Sequence, residues 1–408
     1  GAMLVCKRGP MGAAAFDGDI PDTLDAGLSG PGFPIEVYNV LGAGDGFMAG
    51  LLRGWLRGEP WETALTYANA CGAFAVSRHG CAPAYPSWDE LAWFLKHGSK
   101  HRALRHDAEL EHIHWATTRR GEWPEMRVFA FDHRSQLEDI AAEADADPAR
   151  IGDFKKLCLD AASRVAGGRR GYGILCDRRL GRDALDAAAG TGLWIGRPLE
   201  VPGSRPLRLE IGPDFGTDLA EWPLEHVAKV LCFYHPDDPA ELRLEQEETI
   251  QRLAAAVRGN GLELLLEIIA SKAGPVAEDT MARVIDRFYE IGVRPDWWKL
   301  EPMTSAAAWA GACAAIERGD PRCRGVVVLG LDAPEATLAD SFAAAARHGL
   351  VKGFAVGRTI FAETARAWFR GELDDAAAVA TMAERFQRLC GLWDQARAKA
   401  QAGKGDAP

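Results

Sequence analysis

The sequence predicts an α/β protein dominated by a (β/α)8 barrel, and three observations lead to that fold class. First, short apolar runs rich in Val, Ile, Leu and Phe recur from about residue 125 onward: 126–132, 172–177, 193–200, 228–235, 262–269, 297–301, 326–330 and 351–357. Second, segments of helical period such as AELRLEQEETIQRLAAAVRGNG lie between most of them. Third, the chain changes character at 97–125, where a polar, His- and Arg-rich stretch separates these runs from what precedes. Continuous apolar strands alternating with helices specify a parallel sheet covered on both faces. Eight such units in roughly 250 residues fit a closed barrel better than an open doubly wound sheet.

Composition supports a folded chain. Of 408 residues, 48% are hydrophobic and 26% charged, as in ordinary globular proteins. The net charge of −11 argues against nucleic acid as a partner but leaves room for a local basic pocket. No apolar run reaches the roughly 18 residues of a membrane span, and the start GAMLVCKRGPMG lacks the pattern of a signal peptide. A cytoplasmic protein without membrane contact is expected. The nine cysteines form no CxxC pair and read as reduced thiols, with no metal site implied. The polar stretch reads as a solvated linker or linking helix. The expected division is therefore 1–97, a linker at 98–124, and a barrel over 125–408.

Barrel active sites lie at the carboxyl ends of the strands, and these ends are polar. The first run ends in Asp132, His133 and Arg134; the second and third end in Asp177 and Glu200; Glu301 follows the sixth. Asp177, Glu200 and Glu301 read as helix caps or loop residues. Lys229, Glu267 and Lys299 differ, because each has apolar neighbours on both sides within its own run. An unpaired charge buried there costs several kcal/mol, so all three are expected to line a polar barrel mouth.

Two lysines and a carboxylate in one cavity suggest Schiff-base chemistry. An amine attacks a ketone only when neutral, and the reference lysine pKa of about 10.4 leaves almost none neutral at pH 7. Desolvation and a second cation both favour the neutral form. Trp297 or Trp298 would supply the first for Lys299, and Lys229 the second. Glu267 would shuttle protons during carbinolamine dehydration, if burial raises its pKa towards working pH. The barrel needs no cofactor for this. The glycines Gly330 and Gly357 after the last two runs, with Arg358, form a candidate phosphate site of the kind recurrent in barrels.

These stretches resemble the class I tagatose-bisphosphate aldolase family over about residues 125–370. FAFDHRSQL resembles the Asp-Gln-Arg end of that family's first strand, with His133 where Gln is usual. AKVLCFYHPDD, ELLLEII, WWKLEPM and VGRTIFAE resemble its later strand lysine, glutamate, Schiff-base lysine and phosphate-binding Gly-Arg. The resemblance implies catalytic roles for Lys299, Glu267, Lys229, Asp132 and His133. GLDAP stands where the family often has a Ser-Gly type loop.

Upstream, VYNVLGAGDGFMAGLLRGWL resembles the carboxyl-terminal signature of ribokinase-like sugar kinases. It implies an anion hole at Gly42, Ala43 and Gly44, with Asp45 as the base that takes the proton from the sugar hydroxyl. Asn39-Val40 stands where that family usually has Asp-Thr. Only the closing part of such a kinase is expected in residues 1–97, so ATP and Mg would serve the full-length kinase alone. Residues 1–97 are expected to be poorly stable unless they pack on the barrel or on another chain.

A kinase part joined to an aldolase-like barrel resembles the fused 5-dehydro-2-deoxygluconokinase family of myo-inositol breakdown. That resemblance implies a class I aldolase acting on a phosphorylated sugar acid. The substrate would be 5-dehydro-2-deoxygluconate 6-phosphate, cleaved to dihydroxyacetone phosphate and malonate semialdehyde. Arg134, Arg178 and Arg197 are the candidates for holding its carboxylate. The alternatives are a ketose-bisphosphate aldolase and a non-catalytic sugar-phosphate-binding barrel. Self-association into a homo-oligomer is left open.

Overall fold

The computed structural model describes residues 2–405, in two compact units, 1–120 and 121–408. In the first, strands β1 (Met3–Lys7), β2 (Ala13–Asp17) and β3 (Leu28–Gly30) form an antiparallel sheet in that order. Helices α1 (Ala43–Leu56), α2 (Trp61–Ser77), α3 (Trp88–His97) and α4 (Ala108–Thr118) complete it. α1 and α2 approach closely because glycines face the contact. A Cβ on Gly54 would lie 2.6 Å from Ala64 Cβ, and one on Gly50 2.5 Å from the Tyr67 carbonyl oxygen. The opposite face of α1 exposes Met48, Leu52, Trp55 and Leu56.

The segment expected to be a linker is mostly folded. Asp107 caps α4 by accepting hydrogen bonds from the Glu109 and Leu110 N–H groups, and Leu110 and Ile113 are fully buried. Arg78 on the α2 side pairs with Glu90 of α3 and Glu111 of α4. The polar composition of this stretch belongs to the outer side of a packed helix, and the first unit runs to residue 120.

The second unit is the expected closed barrel. Its strands are β4 (Met126–Ala130), β5 (Tyr172–Leu175), β6 (Trp194–Pro198), β7 (His226–Cys232), β8 (Glu263–Ile268), β9 (Trp297–Leu300), β10 (Gly325–Leu329) and β11 (Val351–Val356). They pair in parallel, in chain order, and β11 closes on β4. The helices are α5 (Ser135–Glu143), α6 (Arg150–Ala166), α7 (Arg178–Ala188), α8 (Phe215–Leu219), α9 (Ala240–Gly259), α10 (Thr280–Glu290), α11 (Ala306–Gly319), α12 (Glu335–Ala345), α13 (Arg358–Phe369) and α14 (Asp375–Gly405).

Alternation along the strands sorts the side chains. Outward residues such as Ile174, Val230, Leu266 and Trp298 pack under the helices, while Val128, Leu175, Trp194, Val227, Leu265 and Trp297 fill the barrel interior. Two residues beyond Val227, Leu265 and Trp297 come Lys229, Glu267 and Lys299, so the same alternation turns all three inward, above an apolar plug. No helix of the described residues is long and apolar enough to cross a membrane.

Candidate active site

The cavity at the carboxyl ends of the barrel strands has a volume of about 290 Å³. Lys229, Glu267 and Lys299 all line it, each no more than 3% exposed. Glu267 and Lys299 are register partners on β8 and β9. Lys299 Nζ lies 3.1 Å from Glu267 Oε1, and Lys229 Nζ lies 2.8 Å from Glu267 Oε2. One carboxylate thus joins the two ammonium groups, an oxygen to each. Asp132 comes next, 3.2 Å from Lys229 Nζ.

The cluster extends to a residue that sequence reasoning had assigned to capping. Glu200 Oε1 lies 3.0 Å from Lys229 Nζ and 2.9 Å from Arg134 Nη2, and Glu200 Oε2 accepts the Leu231 N–H at 3.0 Å. Arg134 also reaches Glu210 at 2.8 Å. The result is a chain of alternating sign: Glu210, Arg134, Glu200, Lys229, Glu267, Lys299. Asp177 and Glu301, read in the same way, do serve locally. Asp177 caps α7 and pairs with buried Lys155, and Glu301 accepts the Ala270 and Ser271 N–H groups. Glu200 shares a strand-end position with the other site residues, which was the available signal. Glu210 arrives on the excursion between β6 and α8, and nothing in its sequence context marks it.

Electrostatics follow from this packing. Burial works against the charged form of Asp132, but the Lys229 and Lys299 ammonium groups outweigh it and hold the carboxyl well below its ordinary value. Glu267 behaves alike: burial raises its pKa, yet the two lysines bring it below normal. The expectation of a carboxyl poised near working pH is therefore corrected; Glu267 stands as a carboxylate. Burial disfavours the charged Lys229, but Asp132, Glu200 and Glu267 together raise its pKa above the ordinary lysine value. His133 is pushed down to about 3 by burial, and Arg358, Lys299 and Lys229 add to this against Asp132. Its neutral ring packs on Phe361, and its buried Nδ1 has no hydrogen-bond partner.

The tryptophans do not wall the site. Trp297 lies one layer deeper and donates to Glu263 at 2.8 Å, and Trp298 points outward and donates to the Tyr289 hydroxyl. The apolar walls are instead Ala130, Leu231, Phe233, Ile269, Leu329 and Ala355.

Gly330, Gly357 and Arg358 do line the cavity. Gly357 precedes α13, whose first N–H groups lack intrahelical partners. A Cβ on Gly357 would lie 2.2 Å from the Ala130 carbonyl oxygen and 2.6 Å from His133 Cε1. After Gly330, Leu331 and Asp332 both take left-handed backbone conformations, with φ of 49° and 59°, uncommon for a leucine. Arg358 pairs with Asp332 at 3.2 Å.

Of the three arginines proposed for a carboxylate, two lie elsewhere. Arg178 is exposed at the start of α7, and Arg197 points outward and stacks on Trp222 at 3.6 Å. Arg134 lines the cavity but is engaged by Glu200 and Glu210. Lys272, not singled out from the sequence, lines the same cavity and has no ion-pair partner among the described residues.

In the first unit, Gly42 takes the left-handed conformation that opens α1, and Ala43 and Gly44 begin the helix. Asp45 stands exposed in its first turn. A Cβ on Gly44 would lie 3.4 Å from Lys7 Nζ, so an ammonium group sits over the helix start. A cavity of about 410 Å³ beside it is lined by Lys7, Asn69 and Arg102 with apolar Phe33, Ile35 and Phe47.

A parallel barrel with an acid–base cluster at its mouth defines the class of this second unit, and comparison gives the family. The chain belongs to the family described as "Uncharacterized protein conserved in bacteria (DUF2090)", whose model matches residues 90–397. Residues 1–88 match the pfkB family of carbohydrate kinases, so a kinase segment is fused ahead of the barrel. The chain is 32% identical over 103 residues to the 5-dehydro-2-deoxygluconokinase of Geobacillus thermodenitrificans, covering 25% of this chain and 29% of that protein. It is 46% identical over 65 residues to the ATP-dependent ribose-1-phosphate kinase of Halopiger xanaduensis, covering 16% of this chain and 22% of that one. The chain therefore spans about a quarter of the length of these relatives. In structure, it is similar to fructose-bisphosphate aldolase from Plasmodium falciparum, with a TM-score of 0.52 and 15% identity over 71% of this chain and 95% of that one. The barrel fold is aldolase-like.

Proposed function

We propose that the barrel is a Schiff-base aldolase acting on a phosphorylated keto sugar acid. The observation that carries this is the Glu267 carboxylate shared between Lys229 and Lys299 in the barrel mouth. Lys299, in its neutral form, attacks the substrate ketone to give a carbinolamine, and loss of water leaves an iminium. Glu267, a carboxylate at rest, takes in turn the two protons that the Lys299 nitrogen sheds on its way from ammonium to iminium, passing the first to the alkoxide and the second to the hydroxyl, which leaves as water. The iminium draws the electron pair of the adjacent carbon–carbon bond as that bond breaks, forming an enamine. Asp132, held ionised, takes the proton from the hydroxyl that becomes the aldehyde. Protonation of the enamine carbon and hydrolysis then free Lys299.

The substrate we favour is 5-dehydro-2-deoxygluconate 6-phosphate. Its ketone at C5 suits Lys299, and breakage of C3–C4 gives malonate semialdehyde and dihydroxyacetone phosphate. Arg358 with the α13 N–H groups would hold the phosphate, and Lys272 the carboxylate. The kinase segment supports this choice, because the kinases of that name would supply the phosphorylated acid. Gly42–Gly44, Lys7 and the adjoining cavity suit a nucleotide, whose ATP and Mg chemistry belongs to a complete kinase with Asp45 as its base.

The test is a product assay with two substrates. The proposal expects dihydroxyacetone phosphate from the phosphorylated keto acid, with ketose bisphosphates turned over at least tenfold less well. Faster cleavage of tagatose or fructose bisphosphate would favour the ketose-bisphosphate reading. Cleavage of neither would leave a binding barrel.

A further inference from the structure

We infer that Glu200 is a positioning residue that acts through Lys229: its carboxylate, held against that lysine, offsets the positive field at Lys299 and so sets the proton affinity of the amine. The inference deepens the lysine chemistry proposed above but does not depend on the substrate named there.

Glu200 is 3% exposed and engaged on every side. Its side chain meets Lys229 and Arg134, it takes the Leu231 N–H, and its own carbonyl accepts a hydrogen bond from Arg134 Nη1 at 2.9 Å. A plain helix cap would need none of the lysine contact. Leu231 lies two residues along β7 from Lys229, so Glu200 grips that strand at two points. Lys229 is left with carboxylates on three sides, Asp132, Glu200 and Glu267. All three lie within 3.2 Å of its Nζ.

The groups facing Lys229 and Lys299 are Asp132, His133 and Arg134 from the end of β4, and Glu200 and Glu210 beyond β6. Glu267 on β8, Lys272 beyond it, and Asp332 with Arg358 at the far rim complete the set. Removing the Glu200 charge makes the field around Lys299 more positive. A more positive field disfavours the ammonium, so Lys299 should lose its proton at lower pH. Removing Lys229 should do the reverse. A charge a few ångströms from the amine moves such a midpoint by about one pH unit.

Pulse labelling with acetic anhydride across pH, read by peptide mass spectrometry, follows the neutral fraction of each lysine without any substrate. In the wild type Lys299 should label at lower pH than Lys229. Glu200→Gln should lower the Lys299 midpoint by about one unit, Glu200→Asp should leave it near the wild-type value, and Lys229→Met should raise it. Labelling of Lys229 before Lys299 in the wild type would overturn the inference, even if no variant folds. So would an unmoved midpoint in Glu200→Gln, or equal shifts in the Gln and Asp variants, which would mark simple loosening. If these shifts appear while dihydroxyacetone phosphate and borohydride yield no adduct, the aldolase proposal fails and the role of Glu200 stands.

Discussion

Glu267 Oε1 lies 3.1 Å from Lys299 Nζ, and the two residues face each other as register partners on adjacent parallel strands. Neither can turn away without flipping its strand, because side chains alternate with a period of two. The pair is therefore fixed by the barrel itself, and the second oxygen of the same carboxylate holds Lys229.

Lys229 is the cation that neutralises three buried acids. Lys229→Ala should cost about 3–5 kcal/mol of barrel stability, since it strands buried charge. It should also slow formation of the Lys299 adduct and move its pH dependence upward, because Lys299 loses a neighbouring positive charge. Trapping rates measured from pH 6 to 10 would show this. An unchanged pH dependence would remove Lys229 from its role.

The anion end can be tested with inorganic phosphate. Arg358→Ala should weaken phosphate binding by roughly 10- to 100-fold, the range for loss of a charged hydrogen bond. Gly357→Ala should weaken it as well, because the added methyl collides with the Ala130 carbonyl oxygen and displaces His133. Isothermal titration would measure both. Wild-type affinity in Arg358→Ala would place the phosphate elsewhere.

His133 makes stability depend on pH. Its folded-state pKa of about 3 lies below the unfolded value near 6.5, so the unfolded chain binds the extra proton between them. Stability is then full above about pH 6.5 and falls as pH drops towards 3, by up to about 1.4 kcal/mol per unit. Urea unfolding of the barrel at pH 7, 5.5 and 4.5 should show a shallower decline in His133→Gln than in wild type. Parallel declines would contradict the half-buried neutral ring.

Much of this was legible because the barrel writes itself in apolar runs. Val227 to Cys232, Leu264 to Ile268 and Val326 to Leu329 are continuous because both faces of each strand are covered. Lys229, Glu267 and Lys299 stood out as charges inside such runs. Glu200 did not, since it follows its strand, where Asp177 and Glu301 really are local anchors. Trp297 and Trp298 misled because adjacent residues point to opposite faces, and periodicity does not tell which layer the inward one fills. α4 was hidden by its charged outer side, with only Leu110, His112 and Ile113 buried, one of them polar. The left-handed turn at Leu331 and Asp332 has no glycine to announce it.

The most direct test is reductive trapping. The protein is incubated with dihydroxyacetone phosphate, treated with borohydride, digested and analysed by mass spectrometry. A Schiff-base aldolase of this geometry gives a single stable adduct on Lys299, absent from Lys299→Ala. An adduct on another lysine, or substrate cleavage by Lys299→Ala, would contradict it.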